Sequence, residues 1–324
     1  MSTPSNNKDK HANTDRPQRV CAVILTMNRK VLLRKCISAV LAQTRKVDRI
    51  VVVCNGCSDQ TTVMLEAEFP EAHSLELSRN VGAAGGFKEG VAWAYGRGYD
   101  WYWLFDDDCE PSPDALDILL AAQRQTGVAA AVLTPKCVYG NGVVQPTDAI
   151  WNPRRGDFEM LPIEAYLARY IEADVTGFAG PLIAHEAVSL AGLPCPELFF
   201  VYEDWDWCCR LRNYGPLLVC TDAVVVHHCF SQSRDCLPSS GASGLWRFFF
   251  AMRNEPYVIL KHFDSPWVRV LLIVRFLRYL AYCIFKADQK LLRTKLLMIA
   301  WAMGFTGRMS YGVMPGKTVI ERLP

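Results

Sequence analysis

The chain has 324 residues, of which 51% are hydrophobic and 21% charged, with a formal net charge of +2. That length holds one large α/β domain with an appendage, or two domains, and the composition excludes a disordered or fibrous chain. The near-neutral total gives no reason to expect a nucleic-acid partner, but it hides an asymmetry: residues 236–324 carry 13 Lys and Arg against 4 Asp and Glu, a balance of +9 that leaves −7 for residues 1–235.

Met1 to Arg19 is polar, proline-containing and unpatterned, so a loose tail is expected over residues 1–19; it has no apolar core and does not read as a secretory signal. Val20 to Leu25 is a fully apolar strand, and Val31 to Gln43 repeats apolar residues at helical spacing behind a possible Asn28 cap. Ile50 to Val53 is the next strand, Ser58-Asp59 opens a helix toward Phe69, and Leu75 to Leu77 is short and strand-like. Ala84 to Gly98 reads as a helix despite its glycines. This alternation predicts an α/β fold with a mostly parallel sheet and helices on both faces.

The next segment, Asp100-Trp-Tyr-Trp-Leu-Phe-Asp106-Asp107-Asp108, is an apolar run that stops at three consecutive carboxylates. It reads as a buried strand delivering acids to the carboxyl end of the sheet, where open α/β folds bind ligands. Three adjacent carboxylates repel one another in a cleft, so a positive partner is needed, and a divalent cation is the obvious one. The plainer alternative is a solvated acidic turn before a helix starting at Ser112-Pro113-Asp114. Two more loops follow strands in the same way: Thr26-Met-Asn28-Arg29, and Cys54-Asn55-Gly56-Cys57-Ser58-Asp59. Between them and the acids, Arg79-Asn80-Val81-Gly82-Ala83-Ala84-Gly85-Gly86 offers small residues that let backbone amides approach a ligand at a helix start. A nicotinamide or flavin site would want its glycines directly after the first strand, and the P-loop pattern is absent.

Thirteen cysteines sit mostly inside apolar runs; Cys21, Cys36, Cys220 and Cys283 read as small buried hydrophobes in a reducing compartment. Cys54 and Cys57 have the spacing of a metal or redox pair, but no second pair follows, so no structural zinc is expected. The basic last third holds the runs Leu245 to Phe250, Trp267 to Phe285 and Leu296 to Met303. Arg275 and Arg278 interrupt the longest, which leaves no apolar stretch of about 18 residues to span a bilayer. Amphipathic helices on an anionic membrane, or core helices with arginines at the rim, both fit.

In this order the motifs resemble those of the family 2 glycosyltransferases with the GT-A nucleotide-diphospho-sugar fold, over about residues 20–230. The resemblance extends past the acids to Gly177-Phe-Ala-Gly180, Leu198-Phe-Phe-Val-Tyr-Glu203-Asp204-Trp205-Asp206, Arg210-Leu-Arg-Asn-Tyr-Gly215 and Asp222-Ala-Val-Val-Val-His227-His228. Within the family the chain looks most like bacterial rhamnosyl- and galactofuranosyl-transferases. The resemblance implies a Rossmann-like catalytic domain at 20–235, and the charge and apolar runs beyond it predict a basic, amphipathic helical region at 236–324. The resemblance implies inverting transfer from a UDP- or dTDP-linked sugar to a glycan or glycolipid acceptor; the +9 balance and apolar runs of residues 236–324, without a signal or spanning segment, lead us to expect that work at the cytoplasmic face of a membrane.

The resemblance also implies roles for residues. Asp106, Asp108 and His227 would hold Mn²⁺ or Mg²⁺, which stabilises the charge growing on a leaving diphosphate. Asp204 would be the base that takes the acceptor's proton. Glu203, Trp205 and Asp206 would contact the acceptor, although an acidic first helical turn explains Asp206 as well. The nucleotide would lie against Thr26, Asn28, Arg29, Asn55, Asp59, Arg79, Asn80, Gly85, Gly86 and Asp107. Cys54 departs from the family's usual Asp, and a thiol is a poor acceptor for a base imide, so that contact passes to Asn55, Asp59 or a carbonyl and the donor base stays open. A nucleotidyltransferase of similar fold, or an inactive sugar- or lipid-binding relative, are the rival classes.

Overall fold

A computed structural model describes residues 17–228 and 244–323; the expected tail lies, up to residue 16, outside the described residues. The chain opens with β1 (Val20–Thr26), α1 (Lys30–Leu41), β2 (Arg49–Asn55), α2 (Thr61–Glu68), β3 (His73–Leu77), α3 (Gly82–Tyr95) and β4 (Trp101–Asp106). Each strand here is a run of apolar side chains, and β1 is buried along its whole length, as a central strand covered on both faces must be. β5 (Cys109–Pro111), α4 (Ala115–Thr126), β6 (Val132–Tyr139), β7 (Ala149–Asn152), β8 (Asp157–Met160), β9 (Tyr170–Ala173) and β10 (Ala179–Ala184) follow. Then come α5 (His185–Ala191), α6 (Glu203–Leu211) and β11 (Leu217–His227).

One mixed sheet runs in the order β3-β2-β1-β4-β10-β6-β11-β5, with β9 also on β11. β1, β2, β3 and β4 are mutually parallel; β10 runs against both β4 and β6, which leaves β6 and β11 parallel to the first four. The chain moves outward from β1 to β2 and β3, then returns to place β4 on the other side of β1. That reversal makes a crevice at the carboxyl ends of β1 and β4, the position where such sheets hold ligands. α3 packs closely on the sheet because residue 86 is glycine: a Cβ there would lie 2.3 Å from Leu25 Cδ1.

The C-terminal third forms α7 (Leu245–Phe263), α8 (Pro266–Phe285), α9 (Lys290–Thr306) and the hairpin β12 (Tyr311–Val313) with β13 (Ile320–Arg322). α7 carries a second core, in which Phe248, Phe249 and Phe250 meet Leu296, Leu297 and Phe199. Two of the sequence readings need correction here. Asn28 is not a helix cap: it has a φ of 56° and its Oδ1 accepts from Ser58 N at 2.7 Å, tying the β1 and β2 loops together, while Arg29 stands at the cap position. α2 starts at Thr61, because Gln60 in the left-handed region separates it from Ser58-Asp59.

Candidate active site

β4 delivers its acids to the crevice as the apolar run predicted, and the surrounding elements decide how each is used. Thr26, the last residue of β1, donates its hydroxyl to Asp107 Oδ2 at 2.7 Å. Arg29, just beyond it, reaches Asp107 Oδ1 at 2.9 Å and Asp108 Oδ2 at 2.5 Å. From the far side His227, closing β11, puts Nε2 3.2 Å from Asp108 Oδ1. Residues 108 and 227 are 119 positions apart in sequence, yet β5 pairing with β11 sets His227 opposite Cys109.

The acids therefore differ in charge affinity. Burial pushes the Asp106 carboxyl up to about 7, with the Asp108 charge adding and His227 opposing. Burial likewise lifts Asp107 to about 6 against the pull of Arg29 and Thr26. Asp108 would also be raised by burial, but the His227 hydrogen bond and the Arg29 charge outweigh it and hold the carboxyl at about 2. Burial lowers His227, and its hydrogen bond and charge contact with Asp108 more than reverse that, so its net shift is upward.

The donor set fits a divalent cation of the Mg²⁺ or Mn²⁺ kind. Asp108, Cys109 and His227 offer ligand atoms within 4.8 Å of one another, and the Asp108 oxygen on that side is buried with the His227 imidazole as its neighbour. Burial keeps the Cys109 thiol well above its ordinary range, so it stays protonated and leaves oxygen and imidazole as the ligands. Gln145, which nothing in its sequence neighbourhood marks, sits 3.0 Å from His227 Nδ1 through its Oε1. An amide oxygen there accepts the Nδ1 proton and fixes the plane of the imidazole, with Nε2 on the Asp108 side, the kind of outer contact that orients a histidine where it is a metal ligand.

α6 starts with the second acidic group. Glu203 is buried, its Oε2 has no hydrogen-bond partner among the described residues, and burial together with the Asp204 charge raises its pKa well above the ordinary range. Asp106 adds to that rise, so the two acidic groups feel each other across the crevice. Asp204 is half-buried, with Oδ1 accepting from Trp205 N at 2.8 Å. Trp205 packs edge-on against Phe158 and Tyr202, at ring separations of 4.9 and 5.2 Å. Asp206 does not face an acceptor: fully buried, it accepts from Lys261 Nζ at 2.6 Å, His262 Nε2 at 2.8 Å and Arg210 Nε at 3.1 Å, clamping α6 to α7.

The expected nucleotide contacts divide in the same way. Asn55 is buried and spends its amide on the loop before α3, donating to Asn80 Oδ1 and Gly82 O at 3.1 Å each and accepting from Val81 N at 2.9 Å. Asn80 Oδ1 also accepts from Gly82 N. Asn55 and the Asn80 side-chain oxygen therefore brace the loop before α3. Gly85 and Gly86 are buried in α3. Asp59 accepts from Lys30 N at 3.3 Å and from the Thr61 hydroxyl, and remains half-buried. Arg79 is exposed and lines a cavity of about 650 Å³ with Lys88, Phe199 and Arg322. Cys54 is buried beside Ser74, and Cys57 lies 3.7 Å from Thr26 O.

Comparison with known proteins gives concordant results. Residues 21–178 match the family model described as Glycosyl transferase family 2. Galactofuranosyltransferase GlfT1 of Mycobacterium tuberculosis is 29% identical over 284 residues, 81% of this chain and 88% of that protein. The dTDP-rhamnosyl transferase RfbF of Shigella flexneri is 23% identical over 214 residues, 64% of this chain and 68% of that protein. Among solved structures, TarS residues 1–349 of S. aureus in complex with UDP-GlcNAc superposes with a TM-score of 0.58 at 14% identity, covering 90% of this chain and 83% of that one, a likeness of fold.

Proposed function

We propose, from the premise that the chain belongs to glycosyltransferase family 2, that it moves a sugar from a nucleoside diphosphate to a glycan hydroxyl with inversion and with the help of Mn²⁺ or Mg²⁺. Galactofuranose is the favoured sugar and rhamnose the alternative, because the alignment with the galactofuranosyltransferase covers 81% of this chain and that with the rhamnosyl transferase 64%. The observation that carries the reading is the meeting of Asp108 and His227 at the crevice, with Asp106 near enough to feel both charges and the first turn of α6 near enough for Glu203 to sense Asp106.

Asp106, Asp108 and His227 would hold the cation, which when bound acts as a Lewis acid on the leaving diphosphate. Arg29 adds fixed positive charge on the same side. Asp204 takes the proton of the acceptor hydroxyl as its oxygen bonds to the anomeric carbon; the carbon–oxygen bond to the diphosphate breaks, and its electron pair leaves with the diphosphate. Burial and the Asp204 charge disfavour a second negative charge on Glu203 beside that base. Incubating the protein with UDP-galactofuranose, dTDP-rhamnose or UDP-GlcNAc, with Mn²⁺ or with EDTA, tests this. Mn²⁺-dependent release of UDP from the first is expected. Release that EDTA leaves unchanged would overturn the metal assignment, and turnover of only the second would reassign the sugar.

The proposed location is the cytoplasmic face of a membrane, against a lipid-linked acceptor. No helix among the described residues is long and apolar enough to cross a bilayer. The outer face of α8 nevertheless leaves Trp267, Val274, Leu277 and Phe285 exposed, continued by Leu291 on α9. Between the helices an apolar groove of about 730 Å³ is flanked by Lys290 and Lys295. The raw charge count overstates the attraction, since Arg253 and Arg293 are buried and Lys261, Arg269, Arg275 and Lys317 face carboxylates. Arg278, Lys286, Lys290 and Lys295 stay exposed beside the apolar stripe, and each contributes about 1 kcal/mol near an anionic surface. Co-sedimentation with phosphatidylglycerol vesicles at low salt, lost at high salt, is expected; a protein that stays in the supernatant at low salt overturns the location.

A further inference from the structure

We infer that Arg253 and Asn254, neighbours on α7, are positioning residues for the transfer: they hold a strained segment, Phe199 to Tyr202, in the conformation that presents Glu203 and Asp204. The proposal rests on the assignment of Asp204 as base.

The strain is local and heavy. Phe199, Val201 and Tyr202 have φ of 62°, 66° and 70°, in the region that favours glycine. For a β-branched residue such as Val201 this is an outlier, and such backbone persists only where its surroundings over-determine it. Here the surroundings are identifiable. The Asn254 amide donates to Leu198 O at 2.8 Å, Phe200 O at 3.0 Å and Val201 O at 2.7 Å. Arg253 donates to Glu197 O at 2.6 Å and Leu198 O at 3.2 Å, and fixes the Asn254 amide by donating to its Oδ1 at 2.9 Å. Its remaining donors go to Met309 O and Tyr311 O, so one guanidinium links α7, the C-terminal hairpin and the segment.

Both side chains are fully buried, and a cation kept there among carbonyl oxygens is costly unless every donor is used. From the opposite side α3 closes on the same segment: Ala84 N donates to Phe199 O at 3.2 Å, and a Cβ on residue 82 would lie 2.2 Å from that oxygen, so only glycine fits. The Phe199 ring stacks on Phe250 of α7 at 4.8 Å. Glu203 follows the last strained residue directly, so rotation of the segment moves the whole first turn of α6. The C-terminal third thereby sets the direction of a side chain that belongs to the sheet's active site.

Asn254→Ala in the full-length protein tests this. Turnover is expected to fall about 10²-fold, the loss typical of a displacement near 1 Å in a reacting group, with donor affinity within about twofold of the parent. Backbone amides of residues 199–203 should exchange faster with solvent. Val201→Gly, which relieves the strain, should restore turnover about tenfold in the Asn254→Ala background. Asn254→Ser keeps one donor and covers the case in which the alanine variant does not fold; its turnover is expected about tenfold below the parent. Parent-like turnover in either variant, or a loss that donor affinity shares and Val201→Gly does not repair, overturns the proposal. If Asp204→Asn keeps full turnover the base assignment fails instead, while the exchange of residues 199–203 still reports whether Asn254 holds the segment.

Discussion

Two acidic clusters about 100 residues apart, Asp106-Asp107-Asp108 and Glu203-Asp204-x-Asp206, resemble each other in sequence and meet opposite fates. In each, one acid is held at about 2 by partners that outweigh its burial, Asp108 by His227 and Arg29, Asp206 by the His262 hydrogen bond and the Arg210 and Lys261 charges. In each another is driven up, Asp106 to about 7 and Glu203 well above its ordinary range. The difference lies in where the partners come from. Arg29 belongs to the crevice and is 39% exposed, so a ligand can compete for its carboxylates. Of the Asp206 partners, Lys261 and His262 come from α7 across the helix–helix interface and Arg210 from the next turn of α6, and the Asp206 side chain is 0% exposed. A carboxylate whose counter-charge lies in a cleft is available for chemistry, while one whose counter-charge lies between helices is part of the frame.

That contrast can be broken by four substitutions. Asp108→Asn should lower transfer about 10⁴-fold, the several kcal/mol a metal contributes to a leaving diphosphate, with the melting temperature barely changed; a variant that unfolds would place Asp108 in the frame as well. Asp204→Asn should lower turnover about 10³-fold and leave donor affinity within about twofold by calorimetry, because a base acts on the acceptor. Unchanged turnover would move the role elsewhere.

Asp206→Asn should act in the opposite sense, costing about 3 kcal/mol of stability by denaturant titration. The figure is at the low end for a broken buried pair because Lys261 stays 32% exposed and keeps much of its hydration. Since the folded Asp206 carboxyl titrates near 2, below its ordinary 3.8, its stabilisation is complete above about pH 4 and is lost as the pH falls from about 4 to about 2. The parent should therefore lose stability in that window and the variant should not. Full stability in the variant would show that the clamp is dispensable. The smallest effect is expected from Gln145→Leu, which frees His227 Nδ1: Mn²⁺ affinity should weaken about tenfold with transfer restored at high Mn²⁺. An unchanged affinity would mean that Gln145 does not orient the ligand.

The acids of β4 were legible in the sequence because an apolar strand ending in carboxylates reports both its burial and its exit. That Asn55 and the Asn80 side-chain oxygen also brace the loop before α3 was not legible, because the direction of an amide is not written in its neighbours. Asp206 was misplaced for a related reason, since its partners Lys261 and His262 lie over fifty residues downstream. Gln145 left no sequence signal, whereas Arg253-Asn254 left one that could have been used, a polar pair inside an apolar helix, where each buried donor demands a partner.

What the sequence determined by itself was the order of strands and helices, the apolar stripes that bury them, and the chemical kind of residue at each strand end. These follow from periodicity and from the cost of burying charge, which are local properties of the chain. Only the tertiary structure decided which acid faces the crevice and which is locked between helices. That outcome depends on Arg29, His227, Lys261 and His262, brought to the acids by strand pairing and helix packing, and electrostatic interaction follows distance in space rather than along the chain.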